Sequence, residues 1–198
     1  MLTLLLVLNL VLAAYLCGVV WMVQLVQYPA FGLVPKAAWG AFHAAHSRRM
    51  GWVVGAPMVA ELALALALAW VGRHELPGSG PFWALALVAV VWAATFFIAV
   101  PFHRRLSEGF DYIAIDGLTR TNWLRTLAWT FRVGLLGALL LSDINAKQEA
   151  GRVAPRPLAS AKPSRRVLFN PVVPISCSAR KRAGARCCSC SPVLHTAS

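Results

Sequence analysis

Three observations predict an all-α polytopic membrane protein, built as a four-helix transmembrane bundle. Of the 198 residues, 59% are apolar and only 13% are charged, which leaves too little polar surface to cover a soluble globule. Four apolar runs each approach the roughly 20 residues that a helix needs to cross a hydrocarbon core of about 30 Å. The alternation of polar and apolar residues that marks a membrane β-barrel is missing, so helices must satisfy the backbone in lipid.

The predicted spans cover residues 2–27, 51–71, 81–100 and 122–141. The first span lacks the basic region and the small-residue cleavage site of a secretory signal, and we interpret it as a retained helix. The segment after Pro35 predicts a short interfacial helix before the second span, because proline suits a first helical turn. This helix is expected to continue into the second span.

Residues 143–198 predict a disordered basic tail, because they are rich in Pro, Ser, Ala and Arg and have no helical or strand periodicity. Residues 1–144 hold nine Lys or Arg against six acids, whereas residues 145–198 hold ten against one. Such a tail either binds anionic headgroups, or nucleic acid without specificity, or is a non-functional extension. Four of the five cysteines lie there without the two separated ligand pairs of a zinc knuckle, which favours free thiols.

With four spans, the connections 28–50 and 101–121 emerge on the same side of the membrane. This side is rich in histidine and arginine: it carries His43, His46, Arg48, Arg49, His103, Arg104 and Arg105. Counting basic residues in the loops places this side in the cytoplasm and both termini outside, while the basic tail argues for the reverse. We expect a multi-pass protein of the bacterial inner membrane.

Helical periodicity predicts that the polar residues converge inside the bundle. At about 100° per residue, His43, His46 and Glu61 follow one stripe, and His103 lies on a stripe of the third span. Asn122, Arg125 and Arg132 form the corresponding stripe of the fourth span. Lipid gives charged and amide side chains no reason to face outward.

Glu61 and Arg132 each lie about 15 Å along their helix from the same face, by the helical rise per residue. An unpaired ion at that depth is costly, which predicts that the two pair. Two interpretations stay open at this point. The pair either locks two helices together or belongs to a functional cavity.

Several chemistries fit this polar face. We take His43, His46 and His103 as candidate acids or bases. The candidate binding residues are Arg48, Arg49, Glu61, Arg104, Asn122, Arg125 and Arg132. One interpretation is an anion or polar headgroup, with the histidines moving protons and the clamp formed by Arg48, Arg49, Arg104, Arg105 and Arg125.

Cofactor chemistry is a further alternative. The three histidines with Asp111 or Glu61 could ligate a divalent metal, although the adjacent arginines disfavour a cation. Haem ligation requires imidazoles inside the bundle, and these three lie near the interface. The sequence thus leaves metal and haem undetermined. It lacks the G-x-S-x-G, H-E-x-x-H, G-x-G-x-x-G and Walker patterns of well-marked hydrolases and nucleotide-binding proteins.

Five motifs carry a family resemblance: WMVQLVQYPAFGLVP, FHAAHSRRM, PMVAEL, VPFHRRLSEGFD and TNWLRTLAWTFR. Over residues 1 to about 142 the chain resembles a family of small, uncharacterised bacterial four-span membrane proteins. It is distantly similar to the group of unknown function that includes fungal anthrone oxygenases, which share a tryptophan, asparagine and arginine cluster entering the last span. The resemblance implies the four-span architecture and the position of a site, but no reaction.

Three function classes follow. The first is a membrane-embedded enzyme acting on a lipophilic ring or quinone-like substrate; the second is a small proton-coupled transporter using Glu61; the third is a purely structural membrane protein. The expected partners are the lipid bilayer and a lipophilic or anionic small molecule, with homo-oligomers left open and no specific nucleic acid expected.

Overall fold

The computed structural model describes residues 1–76 and 78–153, and all regular structure in them is helical. Four long helices follow one another: α1 (Leu2–Phe31), α2 (Lys36–Glu75), α3 (Gly80–Glu108) and α4 (Tyr112–Val153). Each is long and apolar enough to cross a membrane. The predicted all-α, four-span fold of a membrane protein is therefore confirmed. Residues 154–198, most of the predicted tail, lie outside the described residues.

The helices form a square in which each contacts its two neighbours along the chain and α4 returns to α1. Large apolar side chains on the outside, such as Leu4, Phe97 and Phe131, are exposed. Their exposure is expected of a surface that faces lipid. The interior holds three apolar clusters together with buried polar residues.

The boundaries of the helices differ from the predicted spans at several ends. The helix predicted after Pro35 is present and, as expected, continues into the second span, as one α2 that begins at Lys36. The prediction of disorder from residue 143 is wrong for residues 143–153, which extend α4. Asp143 is buried there and accepts hydrogen bonds of 2.7 Å from Thr3 Oγ1 and from Lys147 Nζ. These contacts fasten the extension to the start of α1.

A π-helical turn interrupts each of the first three helices, and a proline follows each turn after one residue. The turns are Val23–Gln27, Gly51–Gly55 and Thr95–Ala99, and the prolines are Pro29, Pro57 and Pro101. A proline inside a helix lacks an N–H group and clashes with the carbonyl four residues earlier, and one extra residue in the preceding turn relieves this clash. α4 contains no proline and has no π turn.

One carbonyl freed in this way has a side-chain partner. The Tyr15 hydroxyl donates a hydrogen bond of 3.1 Å to the carbonyl of Val53, which lies four residues before Pro57. A backbone group released in lipid needs such a replacement, because no water is present to satisfy it.

A buried ion pair connects the helices at the centre of the bundle. Arg132 Nε of α4 donates to Glu61 Oε1 of α2 at 2.9 Å, and both side chains are 0% exposed. Arg132 Nη2 donates to Asn9 Oδ1 of α1 at 2.9 Å, and Nη1 donates to the Ala84 carbonyl of α3. The predicted pairing of Glu61 with Arg132 is confirmed, and a single guanidinium contacts all three other helices.

The loop between α3 and α4 is fixed by Asp111. Its Oδ1 accepts hydrogen bonds from the amides of Ile113 and Ala114 and so caps α4, while Oδ2 pairs with Arg105 at 2.5 Å. Desolvation alone would raise the pKa of Asp111, but the two amides and the guanidinium together hold it below its usual value. The loop therefore ends α3 and begins α4 at a defined position.

We expect strong non-additivity between Glu61 and Arg132. Changing Glu61→Gln or Arg132→Gln alone leaves the other charge buried without its partner, which costs about 3–5 kcal/mol of unfolding free energy. Exchanging both for apolar residues of similar volume should cost much less than the sum. Denaturant unfolding of the detergent-purified single and double variants measures this coupling, and additive losses would contradict the pairing.

The extension of α4 makes a second prediction. A chain that ends at residue 142 loses the contacts of Asp143 with Thr3 and Lys147 and should melt at a lower temperature than a chain that ends at residue 153. For a protein of this size, each 1 kcal/mol lost corresponds to about 2–4 °C. Thermal unfolding in one detergent compares the two chains, and equal melting temperatures would show that the extension contributes nothing.

Candidate functional site

A cavity of about 310 Å³ lies inside the bundle at the level of the three π turns. Each π turn contributes lining residues: Val23 from α1, Gly51, Val54 and Gly55 from α2, and Thr95 and Ala99 from α3. Close backbone contact between α1 and α2 runs mainly along Ala56–Glu75. The cavity therefore occupies the space where α2 diverges from α1.

The wall of the cavity is apolar except for a few polar groups, among them Tyr28, His46, His103 and Arg125. The first three come from α1, α2 and α3, and Arg125 comes from α4. Every helix thus presents a polar residue to the same space, as the polar stripes predicted. An apolar pocket with a few convergent polar groups is the usual form of a small-molecule site.

The three candidate histidines lie together. His43 Nε2 is 3.3 Å from His103 Nδ1, and the two rings stack with centroids 5.5 Å apart. The His46 ring lies 6.0 Å from that of His103 at an interplanar angle of 22°. The convergence that the polar stripes predict for His43, His46 and His103 is confirmed.

A directional chain of hydrogen bonds connects these rings to Arg125. Arg125 Nη2 donates to the Tyr28 hydroxyl at 3.1 Å, because a guanidinium carries no acceptor. In the Nδ1–H tautomer of His103, the Tyr28 hydroxyl donates to His103 Nε2, 3.3 Å away, and His103 Nδ1 donates to His43 Nε2. This is the arrangement in which each of these four side chains satisfies its neighbour.

Arg125 is held from the other side by amides. Its Nε donates to Asn122 Oδ1 at 3.0 Å, and Asn122 Nδ2 donates to Gln24 Oε1 at 2.8 Å. Gln24 Nε2 in turn donates to the carbonyl of Thr119 at 3.1 Å. These hydrogen bonds therefore connect the predicted binding residues Asn122 and Arg125 of α4 to Gln24 of α1.

Tyr28 is the site residue that the sequence stripes missed. It follows Gln24 by four residues, which is the spacing of one helix face, so the polar edge of α1 contained the signal. Tyr28 also lies beyond the predicted end of the first span, where a tyrosine is expected at the membrane interface.

Two tryptophans position the polar groups. Trp39 stacks on His43 with centroids 5.3 Å apart and donates from Nε1 to the Leu106 carbonyl at 2.8 Å, which fixes the face of α2 toward α3. Trp129 lines the cavity and donates to Glu61 Oε2 at 3.1 Å. Trp129 therefore connects the cavity to the ion pair.

The predicted clamp of five arginines does not assemble. Arg48, Arg49 and Arg104 are exposed, and Arg105 pairs with Asp111. Arg104 lines a surface groove beside the cavity, together with His43 and His103. The face of the helix explains the difference: these four side chains point to the outside of the bundle, whereas Arg125 points inward and is 8% exposed.

The described residues do not support the metal alternative. Among them, no group of three His, Cys, Asp or Glu side chains could hold a metal ion. The rings of His43 and His46 stack on that of His103 at 26° and 22°, and His43 and His103 hydrogen-bond to each other, so the three lone pairs do not meet at one point. Asp111 and Glu61 are already paired with Arg105 and Arg132.

Glu61 and Arg132 lie next to the cavity without lining it. Both oxygens of Glu61 accept hydrogen bonds, from Arg132 and from Trp129. Of the two interpretations of the pair, these contacts favour the one in which it holds two helices together.

Comparisons with family models, with curated proteins and with solved structures found no match to this chain.

Removing the Tyr28 hydroxyl should destabilise the site. Tyr28→Phe leaves Arg125 Nη2 and His103 Nε2 without their shared partner, which should cost about 1–3 kcal/mol of unfolding free energy. Tyr112→Phe is the matched control, because Tyr112 is exposed and its hydroxyl makes only a long hydrogen bond of 3.5 Å to the Gly32 carbonyl. Denaturant unfolding measures both variants, and equal losses would show that the chain contributes no more than a surface contact.

Proposed function

We propose that the protein is a membrane-embedded enzyme of the bacterial inner membrane that binds a lipophilic ring substrate in the cavity and transfers a proton to or from it. One observation carries the proposal: the hydrogen-bonded chain from Arg125 through Tyr28 to His103 opens on an apolar cavity. Polar groups that only hold helices together do not need an adjoining space. Convergent polar groups in an apolar pocket are typical of a site that orients and reacts with a ligand.

His103 is the proposed acid or base. When a substrate enters, the Tyr28 hydroxyl turns from His103 Nε2 to a substrate oxygen, and Nε2 is then free to accept a proton from an adjacent carbon. Tyr28 stabilises the negative charge that develops on this oxygen, and Arg125 strengthens it as a donor by bonding to its oxygen. His43 shares the positive charge through the Nδ1–H group of His103.

The cavity has a route for substrates from the bilayer. Ser47, Val100 and His103 line both the cavity and the surface groove, and the first two are exposed. They lie on α2 and α3, so the opening is between these helices. A lipophilic substrate enters there without leaving the membrane, and His46 lies at the inner side of this opening.

The alternative of a proton-coupled carrier requires a carboxylate that exchanges protons with a pathway. Glu61 is buried, lies off the cavity and accepts hydrogen bonds at both oxygens. No contact of Glu61 favours that function. Membership of the four-span family stays a prediction, and the proposed chemistry does not depend on it.

The proposed proton transfer has a test that needs no natural substrate. 2-Tetralone is a lipophilic ring ketone with exchangeable α-hydrogens, and the purified protein in detergent and D₂O should accelerate deuterium uptake, measured by mass spectrometry. His103→Gln should lower the protein-dependent rate about 100-fold or more, which is the usual contribution of a general base.

His74→Gln is the matched control, because His74 is an exposed histidine near the other end of α2. It should leave the rate unchanged. An equal rate in His103→Gln and in the unchanged protein would remove His103 from the chemistry. A rate no higher than that of the detergent alone would contradict this proton-transfer function.

A further inference from the structure

We infer that the cavity binds a lipophilic monoanion, whose carboxylate is held by Arg125. The inference rests on the proposed use of the same cavity and adds the charge and the chemical class of its ligand.

Within the described part of the chain, Arg125 is a buried cation without a counter-ion. Its side chain is 8% exposed, and among the described residues it takes part in none of the four ion pairs. Its hydrogen-bond partners, Tyr28 and Asn122, are neutral side chains. The positive charge is therefore solvated by dipoles alone.

Arg132 on the same helix provides the comparison. It lies two turns further along α4, it is fully buried, and Glu61 compensates its charge at 2.9 Å. A buried charge requires a partner of opposite sign or a strong reason to remain unpaired. The described residues supply that partner for Arg132 but not for Arg125, whose charge is therefore available to a ligand.

The geometry leaves one part of the guanidinium open. Nε and Nη2 are occupied by Asn122 and Tyr28, while Nη1 makes no hydrogen bond to the described residues. Nη1 is also not among the buried side-chain polar atoms that lack a partner, so it borders accessible space. Arg125 lines the cavity and also a smaller pocket beside Ile98 and Asn122, and we place the carboxylate of the ligand on its cavity side.

The surrounding wall selects the rest of the ligand. Apolar residues such as Val20, Val23 and Met58 line the cavity beside Arg125. A volume of about 310 Å³ is at the small end of ligand sites and suits a body of one or two rings. Arg125 is the one Lys, Arg, Asp or Glu in this lining, so its single charge matches a carboxylate rather than a doubly charged phosphate.

Two probes of the same shape isolate the charge. 2-Naphthoate and 2-naphthamide share a ring system and differ in that only the first is an anion at neutral pH. We expect the full-length protein in detergent to bind naphthoate at least about tenfold more tightly, as a charge-assisted hydrogen bond in a buried site provides. Equilibrium dialysis against empty micelles measures both affinities.

Two glycine variants locate the binding. Gly55 lines the cavity and Gly18 does not, and a Cβ atom at either position meets no atom within 4 Å. Gly55→Leu should abolish the binding of both probes, whereas Gly18→Leu should retain it. Binding that survives Gly55→Leu lies outside the cavity and overturns the inference.

Arg125 variants test the role of the guanidinium. Arg125→Gln should remove the preference for naphthoate, and Arg125→Lys should keep most of it by retaining the charge. If Arg125→Gln does not fold, the comparison of the two probes on the unchanged protein and on Arg125→Lys still decides.

The two proposals fail separately. Equal affinity for the probes, with both blocked by Gly55→Leu, overturns the anion inference and leaves a lipophile-binding cavity for the proposed enzyme. If neither probe binds, the inference is overturned as well. A preference for naphthoate without deuterium exchange into 2-tetralone supports an anion site and contradicts the proton-transfer function.

Discussion

The contact between Arg132 and Glu61 determines how the four helices are arranged. Lipid tails are as apolar as leucine, so the hydrophobic effect does not drive helices together in a membrane, and packing and polar contacts must do so. Arg132 meets Asn9, Glu61 and the Ala84 carbonyl, one group from each of the other helices. A side chain with five donors in a fixed plane is suited to this role, because it fixes the mutual rotation of all its neighbours.

The fixed centre allows the other end of the bundle to be irregular. Between the ion pair and the end of the bundle that carries the histidines, α1, α2 and α3 each contain a π turn followed by a proline, and the cavity lies at the level of these turns. A π turn adds a residue to the helix and changes the direction of the side chains that follow, and such turns often lie at functional sites. The α4 helix stays regular and carries Arg125, Trp129 and Arg132 on one face across both regions.

Two arginines seven residues apart illustrate the difference between structural and functional polarity. Arg132 is fully buried, pairs with the carboxylate of Glu61 and holds the helices together. Arg125 is hydrogen-bonded only to neutral groups and lines the cavity. Arg125 can only donate to the Tyr28 hydroxyl, because a guanidinium has no acceptor. In the Nδ1–H tautomer of His103, the hydrogen bonds then run in one direction from Arg125 through Tyr28 and His103 to His43.

The sequence alone determined the four helices, the shared side of the three histidines and the pairing of Glu61 with Arg132, because helical periodicity and the cost of polar groups in lipid leave few arrangements. It could not place Tyr28 or separate Arg125 from the exposed Arg48, Arg49 and Arg104, since a stripe gives a direction around one helix but not the partner it meets. The extension of α4 to Val153 also depended on Thr3, a contact 140 residues away in the chain. The tertiary structure decided these points, because each depends on which atoms of different helices come within hydrogen-bond distance.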